Sequence, residues 1–278
     1  MELNSKLSKE WLEWIDKNLK KGVSVVEIAN ILIDNKFSMD VILQALPFVN
    51  SPHFTFVMQS LIFFGAKFDE KVPFPVLELP NFLGENMCKQ LIALISKQEK
   101  ETAKKAKKEI QQKETKDSKQ EKTKSKEDND DKNQPDILWL LDEKSPYIKQ
   151  LQQKICGVMG LPIYLTDPLA AYTFQKGMEQ NEHVDAINPY DSTGQESLKK
   201  HGNRTWSVML TLQESKKGGE LVFPGIKKTF KPKVGSLLAW YNLNQEVEPS
   251  SFSLHKHNLV SDGTQTILTQ WFRQYPSI

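Results

Sequence analysis

Between Leu7 and Leu46 the apolar positions recur at three- and four-residue intervals: Leu7, Trp11, Trp14, Ile15 and Leu19, then Val25 to Ile33, then Met39 to Leu46. This spacing predicts three short helices. Ser24 and Ser38 stand where N-caps belong, Glu27 completes a capping-box spacing with Ser24, and Gly22 stands where the first helix would stop. So small a bundle leaves little room for a catalytic pocket, and none of its side chains is chemically suggestive. Residues 1–50 are therefore expected to form a small all-α accessory module for docking or packing, and 51–74 a connecting helical segment. Beyond residue 137 the pattern changes. A helix around Pro146 to Met159 is followed by short strand-like runs: LAAYTFQ, TWSVMLTLQ, GELVFP, KTFKPK, GSLLAWYN, FSLHKHNLV and TQTILTQWF. Strands at this spacing predict an all-β sandwich or barrel, with a jelly roll the arrangement expected. No helical segments of suitable length separate them, which disfavours a parallel α/β sheet.

The segment PVLELPNFLG at 75–84 joins this β core, but residues 97–136 do not. They are almost devoid of apolar side chains and cannot bury enough surface to offset their ordering entropy. A charged disordered insertion is expected there, its early part continuing the preceding helix, LGENMCKQLIALISK. Acidic residues are interspersed among its lysines, so most of the field cancels and a solvated loop is expected rather than a surface for nucleic acid or anionic lipid. The whole chain shows the same balance, with 37 Lys and Arg against 35 Asp and Glu in 278 residues. Charge thus gives no reason to expect a nucleic-acid partner. The run FVMQSLIFFGAKF is too short and interrupted to cross a bilayer, and the N-terminal stretch lacks the apolar run of a signal peptide. A cytoplasmic location without membrane contact is the expectation. Cys88 and Cys156 lack CxxC or Cys/His spacing and read as two buried thiols.

The candidate chemistry starts at EHVDA, residues 182–186. On a strand, His183 and Asp185 would point the same way and could grip one ion. Of the five histidines, two lie together in FSLHKHNLV, and a jelly roll can bring that strand opposite EHVDA. His183, Asp185 and a later histidine would make a two-His, one-carboxylate set, which leaves open positions on iron(II) for oxygen chemistry. Zinc accepts the same ligands, so a hydrolytic zinc site is a further reading. His255 and His257 share a face by period two, and spacing alone does not choose between them.

The surrounding blocks carry more information: FQKGMEQNEHVD, then NRTWSVMLTLQ followed by GGELVFP, then KPKVGSLLAWYNL, and finally SLHKHNLVSDGTQTILTQWF. In this order the chain from about PVLELPNFLG to Arg273 resembles the prolyl 4-hydroxylase-like branch of the iron(II) and 2-oxoglutarate dioxygenases. The resemblance implies a mainly β catalytic domain, a double-stranded β-helix or jelly roll with flanking helices, over 75–278. It implies His183, Asp185 and His255 as both the metal ligands and the catalytic set. It implies Fe(2+), 2-oxoglutarate as co-substrate and L-ascorbate as an accessory cofactor, with hydroxylation of a prolyl or other side chain of a protein or peptide as 2-oxoglutarate is decarboxylated to succinate.

The chain departs from the family at the co-substrate anchor. The resemblance would put a Lys ten residues after the distal His and a Tyr three residues before the proximal His; here those positions are Gln265 and Gln180. Neutral donors bind a buried carboxylate less well than charged ones. Arg204 and Lys256 are the alternative cations, and Arg204 matches an Arg the family often has; Arg273 shares strand parity with Gln265 but lies roughly 26 Å away along an extended strand. Gln265, Gln180 and Arg204 are thus the candidate co-substrate contacts. A catalytically degenerate oxygenase fold acting as a binding module is the alternative function. Trp240, Leu238 and Val208 are expected as apolar lining, and the polar stretch Ala186 to Asn203 as a lid loop. Turns are expected at Gly218, Gly219, Gly235 and Gly263. His257 and His53 read as surface or packing residues, and His201 as exposed.

Overall fold

The computed structural model describes residues 4, 6–21, 23, 28, 31–32, 34–37, 41, 45, 52–69, 74–114, 133–140, 145–244 and 248–275. The first helix, α1 (Lys9–Lys20), turns Ile15 inward with Trp11 and Trp14 beside it, as the spacing predicts. Trp11 meets Phe37 edge to face at 5.2 Å, and Ile28, Leu32 and Val41 complete a small cluster. The other two expected helices fall largely outside the described residues. Phe68 packs against both this cluster and the main core, so the two are joined through apolar contact.

Further along come α2 (Pro52–Phe63), β1 (Val76–Leu79), α3 (Glu85–Glu114), β2 (Ile137–Leu140) and α4 (Pro146–Met159). The α4 ends have local causes. Ser145 caps its start by accepting from the Tyr147 amide, proline occupies the first turn where its missing N–H costs nothing, and Gly160 closes it at φ 67°. The helix α3 runs on through the first part of the charged stretch, to Glu114.

The β domain has one six-stranded antiparallel sheet in the order β1-β9-β5-β12-β3-β2, in which β3 is Leu169–Phe174, β5 Arg204–Gln213, β9 Leu237–Tyr241 and β12 Gln265–Arg273. A four-stranded sheet in the order β4-β10-β7-β8 faces it, with β4 Gln180–His183, β7 Leu221–Phe223, β8 Lys228–Phe230 and β10 His255–His257. A short ribbon pairs β6 (Lys217–Gly218) with β11 (Val260–Asp262). This is the jelly-roll arrangement expected. FSLHKHNLV, however, is not one strand: a 3-10 turn at Ser251–Ser253 precedes β10, and β11 begins only at Val260.

Alternation along the large sheet decides what each side does. Trp206, Val208, Leu210 and Leu212 of β5 face α2, α3 and α4, where Phe54 stacks on Trp206 at 5.5 Å. Met209 shares the opposite, inner face with Ala170, Tyr172 and Phe174 of β3, Leu238 and Trp240 of β9, and Ile267 and Trp271 of β12. Leu238 and Trp240 therefore line the interior as expected, but Val208 does not; one residue of register sends it to the helix side. Cys88 and Cys156 are buried free thiols, and burial pushes Cys156 up to about 11. No helix among the described residues is long and apolar enough to cross a membrane.

Candidate metal centre

Antiparallel pairing of β4 with β10 sets His183 directly across from His255, and their rings come within 4.3 Å between centroids. Asp185 lies two residues past the end of β4, in a bend rather than on the strand. The period-two argument thus finds the right residue for a partly wrong reason: the chain turns inward after His183 and carries the carboxylate with it. His183 Nε2 is 3.7 Å from Asp185 Oδ1, and His255 Nε2 is 3.9 Å from Asp185 Oδ2. Ligand atoms of all three lie within 4.8 Å of one another, and among the described residues this is the one such group of His, Cys, Asp and Glu.

Both imidazoles are oriented in the same way. His183 Nδ1 lies 2.8 Å from the Asn181 carbonyl, and His255 Nδ1 lies 2.8 Å from the Ser253 carbonyl. A carbonyl only accepts, so each Nδ1 carries the proton and each Nε2 presents its lone pair to the centre. Burial pushes His255 down to about 4, which keeps it neutral near pH 7, the form a metal needs. Burial alone would raise the Asp185 carboxyl; His255, His183, the Ser207 hydroxyl and Arg204 together outweigh it and hold the group below its usual value. Two imidazole nitrogens and one carboxylate suit iron(II) with positions left for other ligands. The centre opens toward His183, whose side chain is 31% exposed against 4% for His255.

Behind the carboxylate stands a relay absent from the sequence reading. Ser207 Oγ donates to Asp185 Oδ2 at 2.6 Å, and Asn242 Nδ2 donates to Ser207 Oγ at 2.7 Å. Both residues are fully buried. One signal was available: TWSVMLTLQ carries Ser207 and Thr211 on the same parity in an otherwise apolar strand, marking a face that meets something polar. Groups that orient metal ligands typically contribute about 10- to 100-fold to metal affinity. Ser207→Ala is expected to weaken manganese(II) or iron(II) binding by about 10-fold with the circular dichroism spectrum preserved, as titration calorimetry would measure.

The other candidate residues are placed as follows. Gln265 is completely buried at the start of β12, opposite Phe174, and Gln180 is half-buried opposite His257. Arg204 lies elsewhere: its Nε donates to Asp167 Oδ2 at 2.9 Å, its Nη1 donates to the Asp185 main-chain oxygen at 3.4 Å, and its guanidinium sits 3.9 Å over the Trp271 ring. Arg273 completes the pair on Asp167, with Nε donating to Oδ1 at 2.7 Å. Lys256 lies 3.3 Å from Glu182. His257 is buried against the Phe174 ring at 5.0 Å, so it is an interior residue rather than a surface one. His201 is half-buried at the end of a helix, α5 (Ser192–His201), and this helix occupies most of the expected lid loop. Asn203 pins that excursion: its side chain accepts from the Ile187 amide at 2.7 Å and donates to the Ile187 carbonyl at 3.1 Å. The side chain of His53 lies outside the described residues.

With this geometry established, comparison with known proteins identifies the fold. The family model of the 2OG-Fe(II) oxygenase superfamily matches residues 169–273, the span that holds His183, Asp185 and His255. That match spans well under half of the chain, and it is a likeness over this span. The chain has curated relatives named for prolyl 4-hydroxylase. It is 27% identical over 138 residues to one from Acanthamoeba polyphaga mimivirus, covering 49% of this chain and 57% of the relative. It is also 27% identical over 137 residues to prolyl 4-hydroxylase subunit alpha-2 of Gallus gallus, covering 49% of this chain and 25% of that one. The chain therefore matches just over half of the first relative and a quarter of the second. Among solved structures, the viral collagen prolyl hydroxylase vCPH of Paramecium Bursaria Chlorella virus-1, in its 2OG complex, superposes with a TM-score of 0.51 at 18% identity. That match covers 71% of this chain and 94% of the viral one, and it shows the shared fold.

Proposed function

We propose that the chain is an iron(II)- and 2-oxoglutarate-dependent dioxygenase that hydroxylates a prolyl or other side chain of a protein or peptide. The observation that carries this reading is the convergence of His183 Nε2, His255 Nε2 and the Asp185 carboxylate inside the span that matches the oxygenase superfamily. The prolyl 4-hydroxylase names of the relatives support a peptide substrate. Iron(II) and 2-oxoglutarate, when bound, supply dioxygen activation coupled to oxidative decarboxylation, chemistry that no side chain of the chain provides.

The protein's own contribution is position and environment. His183, Asp185 and His255 would hold the metal, with Ser207 engaging Asp185 Oδ2 so that Oδ1 is the freer oxygen. Asn242 donates to the Ser207 oxygen, which leaves the serine proton for the carboxylate. Trp240 at 4.9 Å and Phe223 at 5.4 Å wall the His255 ring and keep water from that side. Tyr172, whose hydroxyl is pushed above its ordinary value first by burial and then by Asp185, stays a neutral phenol on the inner face. The more open His183 side is where substrate would approach.

The test is succinate formation from 2-oxoglutarate with added iron(II) and a proline-containing peptide, using Asp185→Ala as the blank. Succinate above the blank supports the reading. Native protein that takes up no metal sinks it. A second reading, an oxygenase fold retained as a binding module, is favoured by the neutral Gln265; it predicts metal uptake without succinate.

A further inference from the structure

The inner face of the large sheet carries, at the end of β12 away from Arg204 and Arg273, a buried neutral amide. Gln265 has no exposed surface, and neither its Oε1 nor its Nε2 has a hydrogen-bonding partner within the protein. Nε1 of Trp240 is also buried without a partner. Phe174 and Trp240 belong to the same inner-face cluster. Gln265 pairs with Phe174, the Phe174 ring lies 5.0 Å from His257, and Trp240 lies 4.9 Å from the His255 ring. Gln265 Oε1 rests against Gly219, where an added Cβ would come within 1.9 Å of it. Gly219 has φ 77°, so a glycine both makes the turn before β7 and leaves the space the amide occupies.

Native proteins rarely leave a buried carboxamide wholly unpaired, and such groups mark a place where something else completes the bonds. No cation can do so from the neighbouring elements described. Arg204 pairs with Arg273 in register at the opposite end of β12, roughly 26 Å along the strand at about 3.3 Å per residue. Both guanidinium groups are already bound to Asp167. Lys256 alternates away from the inward His255 and His257 toward Glu182, and Lys216 and Lys217 are exposed.

A carboxylate offers acceptors only, so it can satisfy Gln265 Nε2 but leaves Oε1 unpaired, and it stays charged among neutral donors. A carboxamide offers a donor and an acceptor and can satisfy both atoms. From this we infer that Gln265 sets co-substrate selectivity: the pocket receives the far end of a 2-oxo acid as a neutral hydrogen-bonding group, and takes a 2-oxo acid ending in a carboxamide at least as well as 2-oxoglutarate. The inference rests on the oxygenase reading above and concerns which 2-oxo acid that centre accepts.

The experiment uses the full chain loaded with manganese(II), whose uptake is first checked by electron paramagnetic resonance. Calorimetry then compares N-oxalylglycine with N-oxalylglycinamide, isosteric mimics of a 2-oxo acid that differ only in a terminal carboxylate or carboxamide. The native protein is expected to bind the amide as tightly as the acid or more tightly, and Gln265→Lys to shift the ratio at least about tenfold toward the acid, since charge-assisted bonds are roughly twice as strong as neutral ones. If Gln265→Lys fails to fold by circular dichroism, Gln265→Met replaces it and is expected to remove any preference for the amide. Native protein that prefers the acid, a ratio unmoved by the substitution that folds, or metal-loaded protein that binds neither compound overturns the inference. Absence of manganese uptake is a separate result, and it overturns the oxygenase reading together with the selectivity built on it.

Discussion

Asp185→Ala is expected to abolish metal retention and turnover together while leaving the fold intact. The substitution removes the one carboxylate of the three converging groups and leaves two imidazoles whose rings are 4.3 Å apart. Losing a group that only orients a ligand costs about 10- to 100-fold in metal affinity, so losing the ligand itself should cost more than about 100-fold. Calorimetry with manganese(II) and a succinate assay with iron(II) give the two readings. Folding should survive, because removing the carboxylate also removes a desolvated charge and leaves only the Ser207 hydroxyl to find a new acceptor. Retention of metal within tenfold of native would mean that Asp185 is not a ligand.

The second large effect concerns stability. Asp167 is buried between Arg204 and Arg273, one guanidinium on each carboxylate oxygen, at 2.9 and 2.7 Å. Its main chain is held too: its amide donates to the Trp271 carbonyl, and its carbonyl accepts from the Gln270 side chain. Asp167→Ala leaves two largely buried cations facing each other without an anion. Breaking a buried pair from one side typically costs about 3–5 kcal/mol, and partial exposure of Arg204 argues for the lower end, about 3 kcal/mol. Urea unfolding of metal-free protein should show this as a lower midpoint with an unchanged slope. A loss under about 1 kcal/mol would show that solvent already screens the trio as it does a surface pair. Arg204 also reaches the Asp185 main-chain oxygen, so weaker metal binding is expected to accompany the lost stability.

The strands, the His183 and Asp185 pair and the two later histidines were legible in the sequence because each signal is local. Alternation in TWSVMLTLQ marks a buried strand, and two histidines in period two mark a shared face. The choice of His255 over His257 came from resemblance, and in the structure both are buried, with His255 across from His183 and His257 across from Gln180. What stayed hidden depends on contacts through space. The relay from Asn242 to Ser207 to Asp185 joins residues 35 and 22 positions apart. The Asp167 trio spans separations of 37 and 106, and no periodicity encodes such a meeting. Val208 was misplaced by a single step of register, and the helix within 186–203 was masked by its polar composition, STGQESLKKH, whose apolar content is too low to show a face.

Both metal-facing histidines owe their tautomer to the carbonyl two residues earlier in the chain, at Asn181 and at Ser253. Since every amino acid supplies that oxygen, no point substitution at 181 or 253 deletes the acceptor; only a change in the path of the chain can. Ring orientation at this centre should therefore tolerate drift in neighbouring side chains, while a proline or an insertion that bends either segment would let the imidazoles turn.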